Sequence, residues 1–289
     1  MNSVDYLPVI DYKDVNAAHE FAQSLHHTGF AVLKNYPINI KDIQNIYNVW
    51  YKFFQQSDAA KMQYAFSAEN HDGFVSTMLS EKAKGNNIKD LKEFFHYYSW
   101  GQCPPELSED TENLFKQMLS FASELLSWVE KFCPQEVQKN FSEPLSNMIV
   151  DSKRNLLRIL HYPPITTEIE PGAIRAAAHG DINLLTVLPS ANEPGLQVLS
   201  KDNTWVDVPY DSEYLVVNIG DMLEECCEGF YKSTQHRVVN PEGADVAKSR
   251  MSIPLFLHPR DEVILSSRYT AKQYCDQRYS ELGLDKKDK

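Results

Sequence analysis

His179 and Asp181 stand two positions apart in the stretch Ala178-His179-Gly180-Asp181-Ile182-Asn183-Leu184. In an extended strand, residues i and i+2 point to the same face, so this imidazole and this carboxylate can meet at one point in space. His236, within Lys232-Ser233-Thr234-Gln235-His236-Arg237-Val238, supplies a third ligand if it lies on a neighbouring strand. Two imidazoles and one carboxylate on one face of a metal ion leave the opposite face open. That arrangement suits non-haem Fe(II) oxygen chemistry.

Arg250 and Ser252 open a second alternating run, Arg250-Met251-Ser252-Ile253-Pro254-Leu255-Phe256-Leu257, and share one of its faces. A guanidinium beside a hydroxyl is a good receptor for a carboxylate, because its planar fork makes two parallel charge-assisted hydrogen bonds. A dicarboxylic co-substrate that chelates iron at one end could therefore be anchored at the other.

At this point the chain resembles the 2-oxoglutarate/Fe(II)-dependent oxygenases of the isopenicillin N synthase-like family. The resemblance extends to Leu157-Arg158-Ile159-Leu160-His161-Tyr162-Pro163-Pro164, Gly195-Leu196-Gln197-Val198, Trp205-Val206-Asp207-Val208-Pro209 and Leu215-Val216-Val217-Asn218-Ile219-Gly220-Asp221. In the N-terminal half it is carried by Leu7-Pro8-Val9-Ile10-Asp11, Gly29-Phe30-Ala31-Val32-Leu33-Lys34-Asn35, Phe53-Phe54 with Lys61, and Asp90-Leu91-Lys92-Glu93. The chain departs from the pattern where Gly180 replaces a usual Thr or Ser, Leu160 a usual Asn, and Asn35-Tyr36-Pro37 an Asn-His-Gly run. These positions bear on the substrate more than on the metal.

The resemblance implies an Fe(II)- and 2-oxoglutarate-dependent dioxygenase. Its catalytic and metal-binding residues would be His179, Asp181 and His236, and 2-oxoglutarate would be held by Arg250, Ser252 and Tyr162. O2 would be the second co-substrate, succinate and CO2 would be released, and a small-molecule substrate would be oxidised, by default hydroxylated. Phe256, Leu223, Glu224 and Arg175 are the implied substrate contacts, since relatives line the pocket from the equivalent strands and from the loop ahead of the first histidine. Two alternatives stay open: an Fe(II) oxidase of the same family that needs no 2-oxoglutarate, against which Arg250 and Ser252 speak, and a non-catalytic metal-binding jelly roll that senses a small ligand.

The elements that must position these groups can be read from periodicity. Strand-like runs at 155–162, 184–188, 196–199, 204–208, 214–219, 233–239 and 251–258, separated by turns, predict a double-stranded β-helix, the cupin-like jelly roll, which the resemblance also implies. On an alternating strand His161 faces away from Tyr162, a structural placement. Asn218 and Asp221 are expected to shape a turn, and Cys226-Cys227 to pack. Ahead of the strands, Val15, Ala18, Ala22 and Leu25 read as a helix stopped by Gly29 before a strand at 30–33. Ile43, Ile46, Tyr47, Trp50, Phe53 and Phe54 form one aromatic helical stripe expected in the core, and residues 106–132 a further helix. Between 71 and 101 the periodicity weakens, which suggests a long loop able to cover a substrate. Mainly β with packed helices is thus the expected class: a mostly helical 1–150, a jelly-roll core over 151–265, and a C-terminal helix and tail over 266–289, in one cooperative unit.

With 289 residues, 43% hydrophobic and 24% charged, there is ample chain for a sizeable core. A formal net charge of −12 without a Lys/Arg block argues against nucleic acid or an anionic membrane surface as partner. The five cysteines, odd in number and without C-x-x-C spacing, disfavour a disulfide framework or structural zinc. With no basic-apolar leader and no run long enough for a membrane span, a cytoplasmic protein is expected.

Overall fold

The computed structural model describes residues 7–77, 90–165 and 173–281. Part of the expected substrate cover, residues 78–89, and the end of the expected C-terminal tail, residues 282–289, lie outside the described residues.

Strand β1 (Val9–Asp11) leads into helix α1 (Ala17–Thr28), which ends where Gly29 adopts φ 76° and its N–H caps the Leu25 carbonyl at 2.8 Å. A left-handed residue is the usual C-terminal stop, and glycine adopts it without a Cβ clash. A Cβ here would lie 2.2 Å from the Thr234 hydroxyl oxygen, so Gly29 also permits close packing under the segment that carries His236. Strand β2 (Phe30–Lys34) follows, then helix α2 (Ile40–Phe54), whose first turn is capped by the Asn39 side chain accepting from the Lys41 N–H. Ile43, Ile46, Trp50, Phe53 and Phe54 are buried as one stripe. Helix α3 (Pro105–Lys131) begins on a proline, whose missing N–H costs nothing in a first turn. It buries Leu114, Met118, Phe121, Leu125 and Val129 in the same large core.

The expected loop between 71 and 101 is, where described, two strands, β3 (Gly73–Val75) and β4 (Glu93–Tyr97). Every residue of both is buried, so neither shows the alternation that betrays a half-exposed strand. The second half supplies β5 (Leu156–Tyr162), β6 (Ala176–His179), β7 (Leu185–Pro189), β8 (Leu196–Leu199), β9 (Trp205–Asp207) and β10 (Leu215–Ile219). Helix α4 (Asp221–Cys226) precedes β11 (His236–Val238), β12 (Arg250–Ser252), β13 (Leu255–Leu257) and helix α5 (Ala271–Glu281). β6 answers to the extended stretch expected around His179 but stops at that residue, and its Ala176-Ala177-Ala178 has little strand propensity of its own. The single run expected over 251–258 is two strands, broken at Pro254, which has no N–H for a ladder.

Among the described residues, the larger sheet runs β1-β2-β10-β7-β13-β5-β4-β3, with β12 also paired to β5, and the smaller runs β6-β11-β8-β9. Side chains from both sheets line one shared cavity, the geometry of a double-stranded β-helix. The N-terminal half is built into this roll: β2 pairs antiparallel with β10, and β4 with β5. Helices α1 and α3 cover the sheet from outside through the common core.

Because strands from both halves share one sheet, the chain is expected to unfold in one cooperative step. Far-ultraviolet circular dichroism and tryptophan fluorescence should give coincident denaturant transitions; two separated transitions would contradict that expectation.

Candidate active site

His236 on β11 pairs directly with His179, the last residue of β6, so two adjacent strands of the smaller sheet present their imidazoles together. The ring centroids are 4.4 Å apart. Asp181 lies beyond the end of β6, not on it as the strand spacing suggested. Its backbone leaves the ladder: the Asp181 carbonyl accepts the Asp221 N–H at 2.7 Å, at the start of α4. This turn still brings the carboxylate to the histidines, with Oδ1 at 3.9 Å from His179 Nε2 and 3.8 Å from His236 Nε2. One ligand atom from each of the three lies within 4.8 Å of the others.

The remaining polar atoms of the three are already committed. His179 Nδ1 donates to the Ala177 carbonyl at 2.7 Å and His236 Nδ1 to the Thr234 carbonyl at 3.2 Å. A carbonyl can only accept, so both rings are held as the Nδ1–H tautomer with the Nε2 lone pair facing inward. Burial, and then the positive charge His236 would carry, push the His179 imidazole down to about 4, so it stays neutral and able to bind a cation. Asp181 Oδ2 accepts from Asn218 Nδ2 at 2.8 Å and from the Thr186 hydroxyl, leaving Oδ1 free. Burial would raise this carboxyl, yet the two imidazoles and these two hydrogen bonds together hold it below the usual carboxylate range.

Asn218 therefore lies in strand β10 as an orienting partner of Asp181 and shapes no turn. Thr186 and Asn218 face each other across the β7–β10 ladder, a contact that only knowledge of the register reveals. The turn is instead served by Gly220, where a Cβ would lie 2.1 Å from the Asn183 carbonyl oxygen. Gly180 stands where the space a longer side chain would fill is held by Ser233 and Gln235, 3.1 and 3.2 Å from a Cβ built there.

The cavity is about 70 Å3, and its walls include Tyr162, Arg250, Ser252 and Phe256 besides the three candidate ligands. β12 runs antiparallel to β5 with Arg250 opposite Tyr162 and Ser252 opposite Leu160, so the guanidinium and hydroxyl do share the cavity face. Arg250 Nε donates to the Glu193 carbonyl at 3.0 Å, while its buried Nη1 has no partner. His161 points the other way, its Nδ1 2.8 Å from Glu93, whose other oxygen meets Lys61 at 2.8 Å. A larger groove of about 450 Å3 elsewhere, beside Trp100 and Arg154, is lined by none of the predicted site residues.

Three of the expected substrate contacts lie outside the cavity. Leu223 and Glu224 sit on a helix, α4, where strand alternation does not apply: Leu223 is fully buried in the core, and Glu224 binds Lys232 Nζ at 3.0 Å and the Ser233 N–H at 2.7 Å. Arg175, read as a loop arginine, is only 2% exposed and donates to the Lys248 carbonyl. Cys226 and Cys227 end the same helix in the core, and all five cysteines are free.

The profile of the 2OG-Fe(II) oxygenase superfamily matches residues 154–259, and that of the non-haem dioxygenase in morphine synthesis N-terminal region matches residues 7–118. Flavonol synthase 1 of Crocosmia x crocosmiiflora is 29% identical, over 96% of this chain and 86% of its own. A crystal structure from Shewanella oneidensis, assigned as an oxygenase, superposes with a TM-score of 0.87 at 49% identity, over 98% of this chain and 99% of that one. A full-length Neurospora crassa protein crystallised in complex with alpha-KG superposes with a TM-score of 0.79 at 25% identity, over 95% of each chain.

If the hydrogen bonds to Oδ2 orient the carboxylate, Asn218→Ala should weaken Fe(II) binding by about 10- to 100-fold, and His179→Ala, Asp181→Ala or His236→Ala should abolish it. Anaerobic equilibrium dialysis against Fe(II) checks both; wild-type affinity in Asn218→Ala would remove its orienting role.

Proposed function

The chain belongs to the 2OG-Fe(II) oxygenase superfamily and is a non-haem iron, 2-oxoglutarate-dependent dioxygenase; on that premise we propose how its residues divide the work. His179 and His236 bind Fe(II) through Nε2, and Asp181 binds it through Oδ1. Arg250 and Ser252 grip the C5 carboxylate of 2-oxoglutarate, and the Tyr162 hydroxyl points to the same carboxylate. When bound, iron, 2-oxoglutarate and O2 supply the oxidation, in which the co-substrate leaves as succinate and CO2 while the substrate is hydroxylated.

The observation that carries this reading is the placement of Arg250, whose buried Nη1 is unpartnered, and the three candidate ligands on the walls of one cavity. A buried guanidinium N–H without an acceptor is costly, and a bound carboxylate removes that cost. The same observation favours the 2-oxoglutarate enzyme over an oxidase without that co-substrate, and over a sensor that needs no anion there. The remaining task of the protein is to orient the substrate and exclude water. Phe256, with Phe30, Leu160, Leu196 and Val238 along the same walls, fits a compact molecule with an apolar body. The five free thiols support a reducing compartment such as the cytoplasm.

Arg250→Lys keeps the charge but loses the planar fork. Hydrogen bonds to charged groups contribute on the order of 1.5 to 3 kcal/mol, so 2-oxoglutarate affinity should fall roughly ten- to a hundredfold with iron still bound. Anaerobic titration of the Fe(II) protein, followed by the visible charge-transfer band of a chelated keto acid, measures this. Identical titrations of wild type and variant would make Arg250 a structural arginine.

A further inference from the structure

Arg175 and Arg250 are each 2% exposed, and each retains a buried N–H without a partner, Nε of Arg175 and Nη1 of Arg250. Both guanidiniums lie over the same ring: the Arg250 Cζ is 5.2 Å and the Arg175 Cζ 6.0 Å from the Tyr162 centroid. Neither forms an ion pair among the described residues. Among the described residues each guanidinium donates to one backbone carbonyl, Arg175 Nη2 to Lys248 at 2.8 Å and Arg250 Nε to Glu193 at 3.0 Å. The Glu193 carboxylate is 3.9 Å from Lys248 Nζ. Burial, and then the like charge of Arg250, pull the Arg175 guanidinium below its ordinary value.

Two buried cations beside one aromatic ring, neither in an ion pair among the described residues, are unfavourable, since taking an ion out of water is repaid only by a close counter-charge. Backbone carbonyls and a ring face offset part of that penalty. A dianionic ligand whose distal carboxylate reaches this corner offsets the rest, and Arg250 alone would not require the second guanidinium. Arg175 also joins the two elements that must hold that carboxylate. Its Nη2 fixes the chain two residues before Arg250, and its guanidinium lies over the ring of Tyr162, directly opposite Arg250 on the neighbouring strand.

We infer that Arg175 is a positioning residue for the distal carboxylate of the co-substrate, acting through Tyr162 and Arg250 as a second cation, and is not a contact of the oxidised substrate. The inference rests on the 2-oxoglutarate reading above. It separates charge from bracing. A brace would affect any ligand of the cavity, whereas a buried cation behind the carboxylate receptor favours ligands that carry a distal carboxylate.

The test compares 2-oxoglutarate with 2-oxopentanoate, which keeps the keto acid and the five-carbon chain but ends in a methyl group. Both are titrated anaerobically into the Fe(II) protein and followed by the charge-transfer band. Arg175→Met removes the charge and the hydrogen bond, Arg175→Gln keeps an N–H donor near Lys248 without the charge, and Arg175→Lys keeps the charge. The dissociation constant for 2-oxoglutarate should rise about tenfold in Arg175→Met and Arg175→Gln and by less in Arg175→Lys. That for 2-oxopentanoate should change by less than about twofold in all three. Equal weakening of both ligands would reduce Arg175 to a brace, and unchanged 2-oxoglutarate binding would remove it from the site. Failure of all three variants to fold would place it in the scaffold, and each of these results overturns the inference. Absence of a band with either ligand in the wild-type protein would instead defeat the functional reading, and this inference with it.

Discussion

The site depends on how the Asp181 carboxylate is divided. One oxygen is spent on Asn218 and Thr186, which belong to the larger sheet, while the other faces two imidazoles carried by the smaller sheet. Asp181 belongs to neither sheet, and its backbone carbonyl is tied to the first turn of α4. A single buried anion thus joins both sheets and a helix. The two imidazoles and then its hydrogen bonds hold its carboxyl low in a place where burial alone would raise it. The two histidines are complementary: burial favours the neutral form of His179, and a backbone carbonyl on the Nδ1 of each chooses the tautomer that turns Nε2 inward. The set is preorganised, so a cation entering it meets ligands already in place.

The electrostatics of the cavity follow from the same arrangement. Beyond the three candidate ligands its charged lining is cationic, with Arg250, Arg158 and Lys92 on the walls, and Lys92 is paired with Asp90 at 2.8 Å. An iron centre bound by one carboxylate keeps a net positive charge, and the far end of the cavity is positive as well. A dicarboxylate is the natural complement to both ends, so the dependence on 2-oxoglutarate is written into the charge distribution as well as into the ligand set.

Much of this was legible before the fold. The H-x-D pair, His236 and the Arg250/Ser252 face could be read because metal and carboxylate chemistry need those residue types; strand periodicity places Arg250 and Ser252 on a common face, whereas Asp181 reaches the histidines by a turn. The roll itself followed from short runs separated by turns, and helices α1, α2 and α3 from their apolar stripes. The strands missed were those without alternation, β3 and β4, buried on both faces. Asn218 was misread because its meaning lies in the register of β10 against β7, which a single chain does not display. Leu223 and Glu224 were placed on a pocket wall under strand logic, whereas the Gly220 turn starts a helix there and sends them into the core and toward Lys232. Arg175 reads from the sequence as a substrate contact, because nothing in its local sequence announces that it is buried beside the Tyr162 ring.

The central claim, a preformed three-ligand face with the carboxylate receptor at the other end of one cavity, is tested most directly by an anaerobic crystal structure with Fe(II) and 2-oxoglutarate. The account predicts iron on Nε2 of His179 and His236 and on Oδ1 of Asp181, with Oδ2 still accepting from Asn218 and Thr186. It also predicts the co-substrate chelating that iron and its distal carboxylate bonded to Arg250. Iron bound through Oδ2 or away from this triad, or the distal carboxylate directed away from Arg250, would contradict it.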